Sequence, residues 1–377
     1  MNDTFALKSK VYAGKGSIQL LRTLSGSAAC VITDQVMVEL GYLGQTLDLL
    51  REAGMESYVF QDVRPDPDMD VVAAGLEIFR ASGADVLVAL GGGSVIDSAK
   101  AVLYAAWQMD STSFQRPQFI AIPSTSGTGS EVTDFSVITV DGNKVVIVDE
   151  LLAPDVAILD SICLQHVPHR VVADTGIDVL VHALEAYVSI HATDFTDALA
   201  EKAVQLVLEH LEALYRDPAD AYTRDRIQNA SCMAGMAFTN AGLGLNHSLA
   251  HALGGRFNMS HGRSNAMLLL PVMEFNACLS GGHGGKRERD RYAHLSTLLR
   301  LPARTAREGT VSLMDKIRDL MRNLDFAPSI RDMEIAQDDF TAALSDLADV
   351  ALRDRCTPSA PRQAGKEELI SIYEMAY

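Results

Sequence analysis

The apolar run DVLVAL at 85–90 opens directly into Gly91-Gly92-Gly93, and a helical pattern follows from Ser94 in SVIDSAK. A strand that ends in three glycines and feeds a helix constrains the fold more than any other stretch of this chain. Glycine allows backbone to approach a ligand closely. The N–H groups that open a helix have no acceptor inside it, and their positive potential suits a pyrophosphate. Ser94 either caps the helix or donates to a phosphate oxygen. The plain alternative is a glycine turn with an ordinary cap, which needs fewer than three glycines.

The surrounding pattern repeats the same unit. Strand candidates rich in Val, Ile or aromatic residues lie at 29–33, 57–60, 85–90 and 118–122, with helical patterns between them at 43–53 and 70–81. This β-α-β-α order predicts a parallel sheet covered on both faces. Two further runs, 136–140 and 144–148, flank Asp141-Gly142-Asn143 and predict a hairpin. A last strand is expected at 156–159. Helical periodicity then takes over, at 170–189, 197–215, 221–239, 245–253, 287–298, 306–323 and 337–350. The expectation is an α/β dinucleotide-binding domain over 1–162 and an all-α domain over 163–377. The glycine-rich stretch 281–285, with His283 inside, reads as a loop.

A second polar segment, Ser124-Thr125-Ser126-Gly127-Thr128-Gly129 through Thr133, follows the 118–122 strand. Open α/β sheets bind ligands at such strand ends. Asp34 ends the first strand in VITD. There it either accepts from ribose hydroxyls, repelling the extra phosphate of NADP, or caps the next helix.

The helical half carries a different chemistry. Asp178 and His182 stand four apart, as do His247 and His251, so each pair shares one helix face. Gly254 and Gly255 are expected to break the second helix and leave His261 in a loop or turn. One carboxylate and three imidazoles, Asp178, His182, His247 and His261, suit a borderline divalent metal such as Fe²⁺ or Zn²⁺. By spacing alone Asp174, Glu185 or His251 would serve in place of any of the four. His166, His169, His191, His210, His283 and His294 read as surface or satisfied core residues.

The formal net charge of −17 argues against a nucleic-acid partner. Five widely spaced cysteines form no CxxC pair, which predicts a reducing, cytoplasmic setting. The sequence shows no signal-peptide pattern and no apolar run of ~18 residues, so no membrane span is expected.

Taken together, YAGKGS, GGGSVIDSAKA, IPSTSGTGSEVT, LAPDVAILD, TGIDVLVHALEAYVS, AGMAFTNAGLGLNHSLAHALGG and SHGRSNAMLLLPVMEFN resemble the iron-containing (group III) alcohol dehydrogenase family over nearly the whole chain. The resemblance implies a dehydroquinate synthase-like architecture, with a dinucleotide-binding α/β domain, a helical metal-binding domain and an active site between them. It implies metal ligation by Asp178, His182, His247 and His261, with His251 near the nicotinamide and outside the ligand set. By its chemistry His251 is the catalytic candidate, as a proton relay, or else only orients the site. It implies pyrophosphate contacts from Gly91, Gly92, Gly93, Ser94, Val95 and Ile96. Further cofactor contacts fall on Ser124, Thr125, Thr128, Thr133 and Lys144, and Asp34 would favour NAD. The cofactors implied are Fe²⁺, with Zn²⁺ as the alternative, and NAD(H).

Within the family, ATDFTDALAEKA and NASCMAGMAFTNAGLGLNH look most like the 1-propanol dehydrogenases of propanediol-utilisation microcompartments, with ethanol dehydrogenases of ethanolamine utilisation next. Glycerol or diol dehydrogenases of the same fold are nearer rivals than dehydroquinate-synthase-type lyases, which need a Lys/Arg cluster for a phosphorylated acid. Here Arg256 and Arg263 stand among apolar residues, so a small uncharged alcohol or aldehyde is expected. A non-catalytic cargo protein is the remote alternative. Arg64 departs from the Asn that many members carry before the proline, and no fused aldehyde dehydrogenase domain is expected. The partners implied are a second copy of the chain, with a dimer as default, and microcompartment shell or cargo proteins.

Overall fold

The computed structural model describes residues 4–281 and 284–377; the expected loop residues Gly282 and His283 lie outside them. The chain folds as two compact units. One comprises Ala6–Val167 with Ala219–Gly235, and the other Pro168–Pro218 with Met236–Tyr377, Thr4 and Phe5.

The first unit is built on eight strands: β1 (Lys10–Ala13), β2 (Ala28–Thr33), β3 (Glu56–Phe60), β4 (Val86–Gly91), β5 (Gln118–Pro123), β6 (Phe135–Val140), β7 (Asn143–Val148) and β8 (Val156–Leu159). Its helices are α1 (Gln35–Glu39), α2 (Tyr42–Glu52), α3 (Met69–Ser82) and α4 (Gly93–Met109). Six strands make an all-parallel sheet in the order β1-β8-β5-β4-β2-β3. Both faces are covered, which is why β4 reads as an unbroken apolar run. Leu87 and Ala89 face a cluster with Phe79, Ile96 and Phe119, while Val86, Val88 and Leu90 face one with Leu21, Leu49 and Ile120. β1 escaped the sequence reading because KVYA is a short, mostly exposed edge strand.

β6 and β7 pair antiparallel, with Val140 opposite Asn143, so the turn is Asp141-Gly142 alone. Both turn residues have positive φ, 49° and 77°, as a two-residue hairpin connection requires. The expected boundary at 162 left Ala219–Gly235 in the helical domain, and periodicity placed no domain break at either end of it. Its membership of the first unit follows from tertiary packing, in which the Cys232 thiol meets the Glu131 carboxyl.

The second unit is helical: α5 (His169–Val188), α6 (Asp194–Arg216), the latter part of α7 (Ala221–Ala241), α8 (Leu245–Phe257), α9 (His261–Asn276), α10 (Lys286–Leu298), α11 (Ala306–Asn323), α12 (Gln337–Arg353) and α13 (Lys366–Ala376). Two expectations are corrected here. α8 runs through Gly254 and Gly255 and stops at Asn258, which takes the left-handed conformation (φ 52°). A side chain at Gly254 would approach Ser264 Oγ to 3.1 Å, so this glycine serves close packing and does not end the helix. His261 is the first residue of α9, not a loop residue. Pro271 inside α9 hid that helix, because proline ordinarily ends one.

All five cysteines are buried and reduced. Among the described residues no helix is long and apolar enough to cross a membrane.

Candidate metal centre and nucleotide loop

α5 carries Asp178 and His182 one turn apart, both buried. α8 contributes His247, and the first turn of α9 contributes His261. The approach of α9 to α5 depends on Gly262, where a Cβ would lie 2.2 Å from the Asp174 carbonyl oxygen. One ligand atom each from Asp178, His182, His247 and His261 lie within 4.8 Å of one another. His261 Nε2 is 3.4 Å and His247 Nε2 is 3.8 Å from Asp178 Oδ1, and His182 Nδ1 is 4.0 Å from Oδ2. Two atoms bound at about 2.1 Å to one ion at a tetrahedral angle sit about 3.4 Å apart. The spacing and the N₃O chemistry therefore fit a single divalent cation.

The packing around these atoms fixes their orientation. His182 is stacked between Phe238 (4.5 Å) and His247 (4.6 Å). Glu185 Oε2 lies 2.5 Å from His247 Nδ1, and its other oxygen accepts from the Asn246 N–H at 2.6 Å. A carboxylate on Nδ1 turns Nε2 into the metal-facing nitrogen. Burial, with His261 and His251 nearby, holds the His247 imidazole well below its usual range, so it is neutral, as a ligand must be. Burial pushes the Glu185 carboxyl up, while the backbone N–H groups of Asn246, Gly244 and His247 pull the other way and favour the carboxylate.

The three spacing alternatives take other places. Glu185 orients His247. Asp174 pairs with Arg263 (3.1 Å) and accepts from Ser260 (2.9 Å). His251 stacks beside His261, with ring centroids 5.4 Å apart, and its Nδ1 meets Asp354 Oδ2 at 2.8 Å. Of the histidines read as bland, His169 faces the Tyr215 carbonyl and His294 pairs with Glu201.

Asn265 and Asp354 were not anticipated. Asn265 Nδ2 donates to Asp178 Oδ1 at 2.7 Å, and Asn246 Nδ2 holds the Asn265 amide oxygen at 2.8 Å. Asn265 stands four residues after His261, a relation that carries information only once His261 is on a helix. Asp354 carried no signal that linked it to a histidine 103 residues away.

In the α/β unit, the strand order reverses between β2 and β4, and open sheets bind ligands at such a switch point. Thr33 Oγ1 donates to the Leu90 carbonyl at 2.7 Å and ties the two strand ends together. Gly91 leaves the sheet with φ 159°, Gly92 is the N-cap of α4, and Gly93 is its first residue. The second polar segment lies against this turn. Ser124 N donates to the Gly91 carbonyl at 3.0 Å. A Cβ on Gly92 would lie 3.3 Å from Thr125, and one on Gly93 would lie 2.7 Å from Thr128. Gly91–Ser94, Ser124, Thr125 and Thr128 thus form one constellation beside the opening N–H groups of α4, which fits a pyrophosphate.

Other expected contacts are engaged elsewhere. Asp34 caps α1, its Oδ1 accepting from Met37 N at 3.0 Å. The Val95 and Ile96 side chains lie in the core, Val95 packing under Gly91, where an added Cβ would meet its Cγ2 at 2.4 Å. Thr133 is buried and accepts from Lys100 Nζ at 2.9 Å. Lys144 pairs with Asp66 at 2.8 Å. Lys100 itself is fully buried in α4 and donates to the carbonyls of Ser130 (2.7 Å), Thr133 (2.9 Å) and Phe135 (2.8 Å). Burial lowers its amine to about 8, although Asp97 and Glu131 oppose the shift.

Comparison with known proteins agrees with both halves. The model of the iron-containing alcohol dehydrogenase family matches residues 8–161, and that of the Fe-containing alcohol dehydrogenase family C-terminal region matches 172–377. The chain is 37% identical to a 1-propanol dehydrogenase of Salmonella typhimurium, covering 99% of each. It is 38% identical to an aldehyde-alcohol dehydrogenase of Streptococcus pneumoniae over 98% of its own residues, but spans only 45% of that protein's length. Its fold superposes on an iron-containing alcohol dehydrogenase structure from Thermococcus thioreducens with a TM-score of 0.90, at 32% identity and 99% coverage of both chains. The chain belongs to the iron-containing alcohol dehydrogenase family, and iron is the metal that membership brings.

Proposed function

We propose that this chain interconverts a short-chain primary alcohol and its aldehyde with NAD(H), and that 1-propanol and propanal are its substrate pair. The observation that carries the reading is the converging donor set of Asp178, His182, His247 and His261, of which the first three are buried and His261 opens to solvent. Identity to a 1-propanol dehydrogenase over the full length of both chains supports the substrate. Arg263 supports an uncharged one, since Asp174 already neutralises it. In this reading residues 1–162 hold the dinucleotide and 163–377 hold the ion.

When bound, the ion supplies Lewis acidity toward the substrate oxygen and the dinucleotide supplies the hydride chemistry. Asp178 offsets one unit of the ion's charge, and the neutral imidazoles of His182, His247 and His261 leave its electrophilicity high. Glu185 and Asn265 hold His247 and Asp178 in their ligating orientations. His251 gives a proton to the substrate oxygen in reduction and takes it back in oxidation, a role suited to imidazole near neutrality. The N–H groups of Gly93 and Ser94, with the hydroxyls of Ser124, Thr125 and Thr128, receive the pyrophosphate. The Asp34 carboxylate disfavours the additional phosphate of NADP.

The test is NADH oxidation measured anaerobically with propanal, on metal-free protein reloaded with Fe²⁺ or Zn²⁺. Turnover with Fe²⁺ is expected, and acetaldehyde in parallel ranks the two-carbon alternative. No turnover with either ion removes the propanal assignment. The same likeness leads us to propose a homodimer associated with a microcompartment, tested by sedimentation of the purified chain and co-purification with shells.

A further inference from the structure

We propose that Asp354 is the positioning residue for His251: it accepts a hydrogen bond from the imidazole Nδ1–H and thereby assigns Nε2 to the reacting oxygen. This rests on the reading of His251 as the proton relay.

Asp354 follows the last residue of α12, and its carboxylate is anchored at both oxygens. Oδ2 lies 2.8 Å from His251 Nδ1. Oδ1 accepts from the Cys356 N–H at 2.8 Å, with the Ser248 hydroxyl 3.4 Å away. The Asp354 carbonyl accepts from Thr357 N at 3.2 Å. The Thr357 hydroxyl donates to the Ala351 carbonyl at 2.7 Å and stands 2.8 Å from Ser248 Oγ. Ser248 sits on α8, one turn before His251. The segment after α12 is therefore tied to the helix that carries the imidazole, and a carboxylate held in this way cannot swing out of the ring plane's reach. The Asp354 and His251 side chains are 15% and 34% exposed, so the carboxylate is sheltered while part of the ring faces solvent.

A neutral imidazole has one N–H. With that hydrogen on Nδ1 and given to Asp354, the lone pair is on Nε2. In aldehyde reduction the charged ring loses the Nε2 hydrogen. The N–H bond breaks, its electron pair stays on nitrogen, and an O–H bond forms on the substrate oxygen; the hydride that balances the step at carbon would be supplied by bound NADH. Alcohol oxidation runs each change in reverse. The fixed carboxylate stabilises the charged ring and holds one tautomer of the neutral one, as orienting carboxylates do elsewhere.

His251, Asp354 and Cys356 also lie within 4.8 Å of one another, a spacing a second cation would accept. The 2.8 Å separation of His251 Nδ1 and Asp354 Oδ2 is that of a direct hydrogen bond, and burial pushes the Cys356 thiol well up, away from a thiolate. Both favour a pair without an ion.

The experiment compares Fe²⁺-loaded wild type with Asp354→Ala, Asp354→Asn, His251→Ala and the Asp354→Ala/His251→Ala double variant. It reads kcat, aldehyde KM, the solvent deuterium isotope effect, NADH binding by fluorescence, and bound metal per chain. Asp354→Ala is expected to lower kcat roughly a hundredfold and raise the isotope effect. KM, NADH affinity and metal content should stay near wild type. Asp354→Asn keeps an acceptor oxygen for Nδ1 and should recover part of the loss. The double variant should be no slower than His251→Ala alone. If His251→Ala leaves kcat intact, the proton-relay reading fails. If His251→Ala slows turnover but neither Asp354 variant does, the positioning role fails. An equal Asp354→Ala loss with and without His251, or loss of one metal ion per chain, overturns it as well.

Discussion

The backbone of Gly262 passes so close to Asp174 that a methyl group on Gly262 would sit 2.2 Å from the Asp174 carbonyl oxygen. That contact sets the position of His261, the residue before it. Gly262→Ala should force α9 away from α5, destabilise the fold by about 1–3 kcal/mol, and lower bound iron per chain. Thermal melting and metal analysis check this together. A variant with wild-type Tm and full metal would show that the helices absorb the methyl elsewhere.

Glu185 fixes His247 without joining the donor set. Glu185→Gln should therefore weaken metal binding about 10–100-fold while leaving a folded protein. Chelator competition measures the affinity. No change in affinity would mean that stacking against His182 is enough to orient the ring.

Gly93 lies against Thr128, where an added Cβ would meet Thr128 Cγ2 at 2.7 Å. Gly93→Ala is expected to raise the Kd for NADH at least tenfold, read by nucleotide fluorescence. Thr128→Ser removes the clashing methyl and keeps the hydroxyl, so Gly93→Ala/Thr128→Ser should regain part of the affinity. Failure to regain any would place the damage in the phosphate approach and not in the loop contact.

Burial raises the Glu131 carboxyl from its ordinary 4.5 to about 7, against Lys100 and its own backbone N–H. Its folded value lies above its unfolded value, so the folded state holds the extra proton between them. The contribution from that proton is complete at pH values below 4.5 and is lost as pH rises to about 7. At 1.36 kcal/mol per unit the loss is at most about 3 kcal/mol. Glu131→Gln mimics the protonated group, so Tm of the variant minus Tm of wild type should climb across that window and level off above it. A difference that does not move with pH would show that Glu131 keeps its charge in the fold.

The parallel sheet was legible because burial on both faces leaves strands such as β4 as plain apolar runs, and because three glycines at a strand end have few other uses. Asp178, His182 and His247 were legible because helical spacing of four places side chains on one face. Spacing failed to choose among Asp174, Glu185 and His251, since all three have helical neighbours in the cluster and only packing separates them. Reading Gly254 and Gly255 as breakers cost the start of α9, and with it the relation of His261 to Asn265. Asp34 by itself reads first as a helix cap, and only the resemblance made it a ribose acceptor; its visible bond is the cap. The partners of Lys100 and the pairing of Asp354 with His251 were beyond reach, because contacts between distant segments leave no periodicity.

The burial of every cysteine has a consequence for life in air. Thiols attack oxidants as thiolates, and burial pushes Cys30 and Cys163 up to about 12 and Cys232 and Cys356 well above an ordinary thiol. Oxygen should therefore strike the exchangeable ferrous ion long before the polypeptide, and activity lost on exposure should return when the aged protein is reduced and given fresh iron.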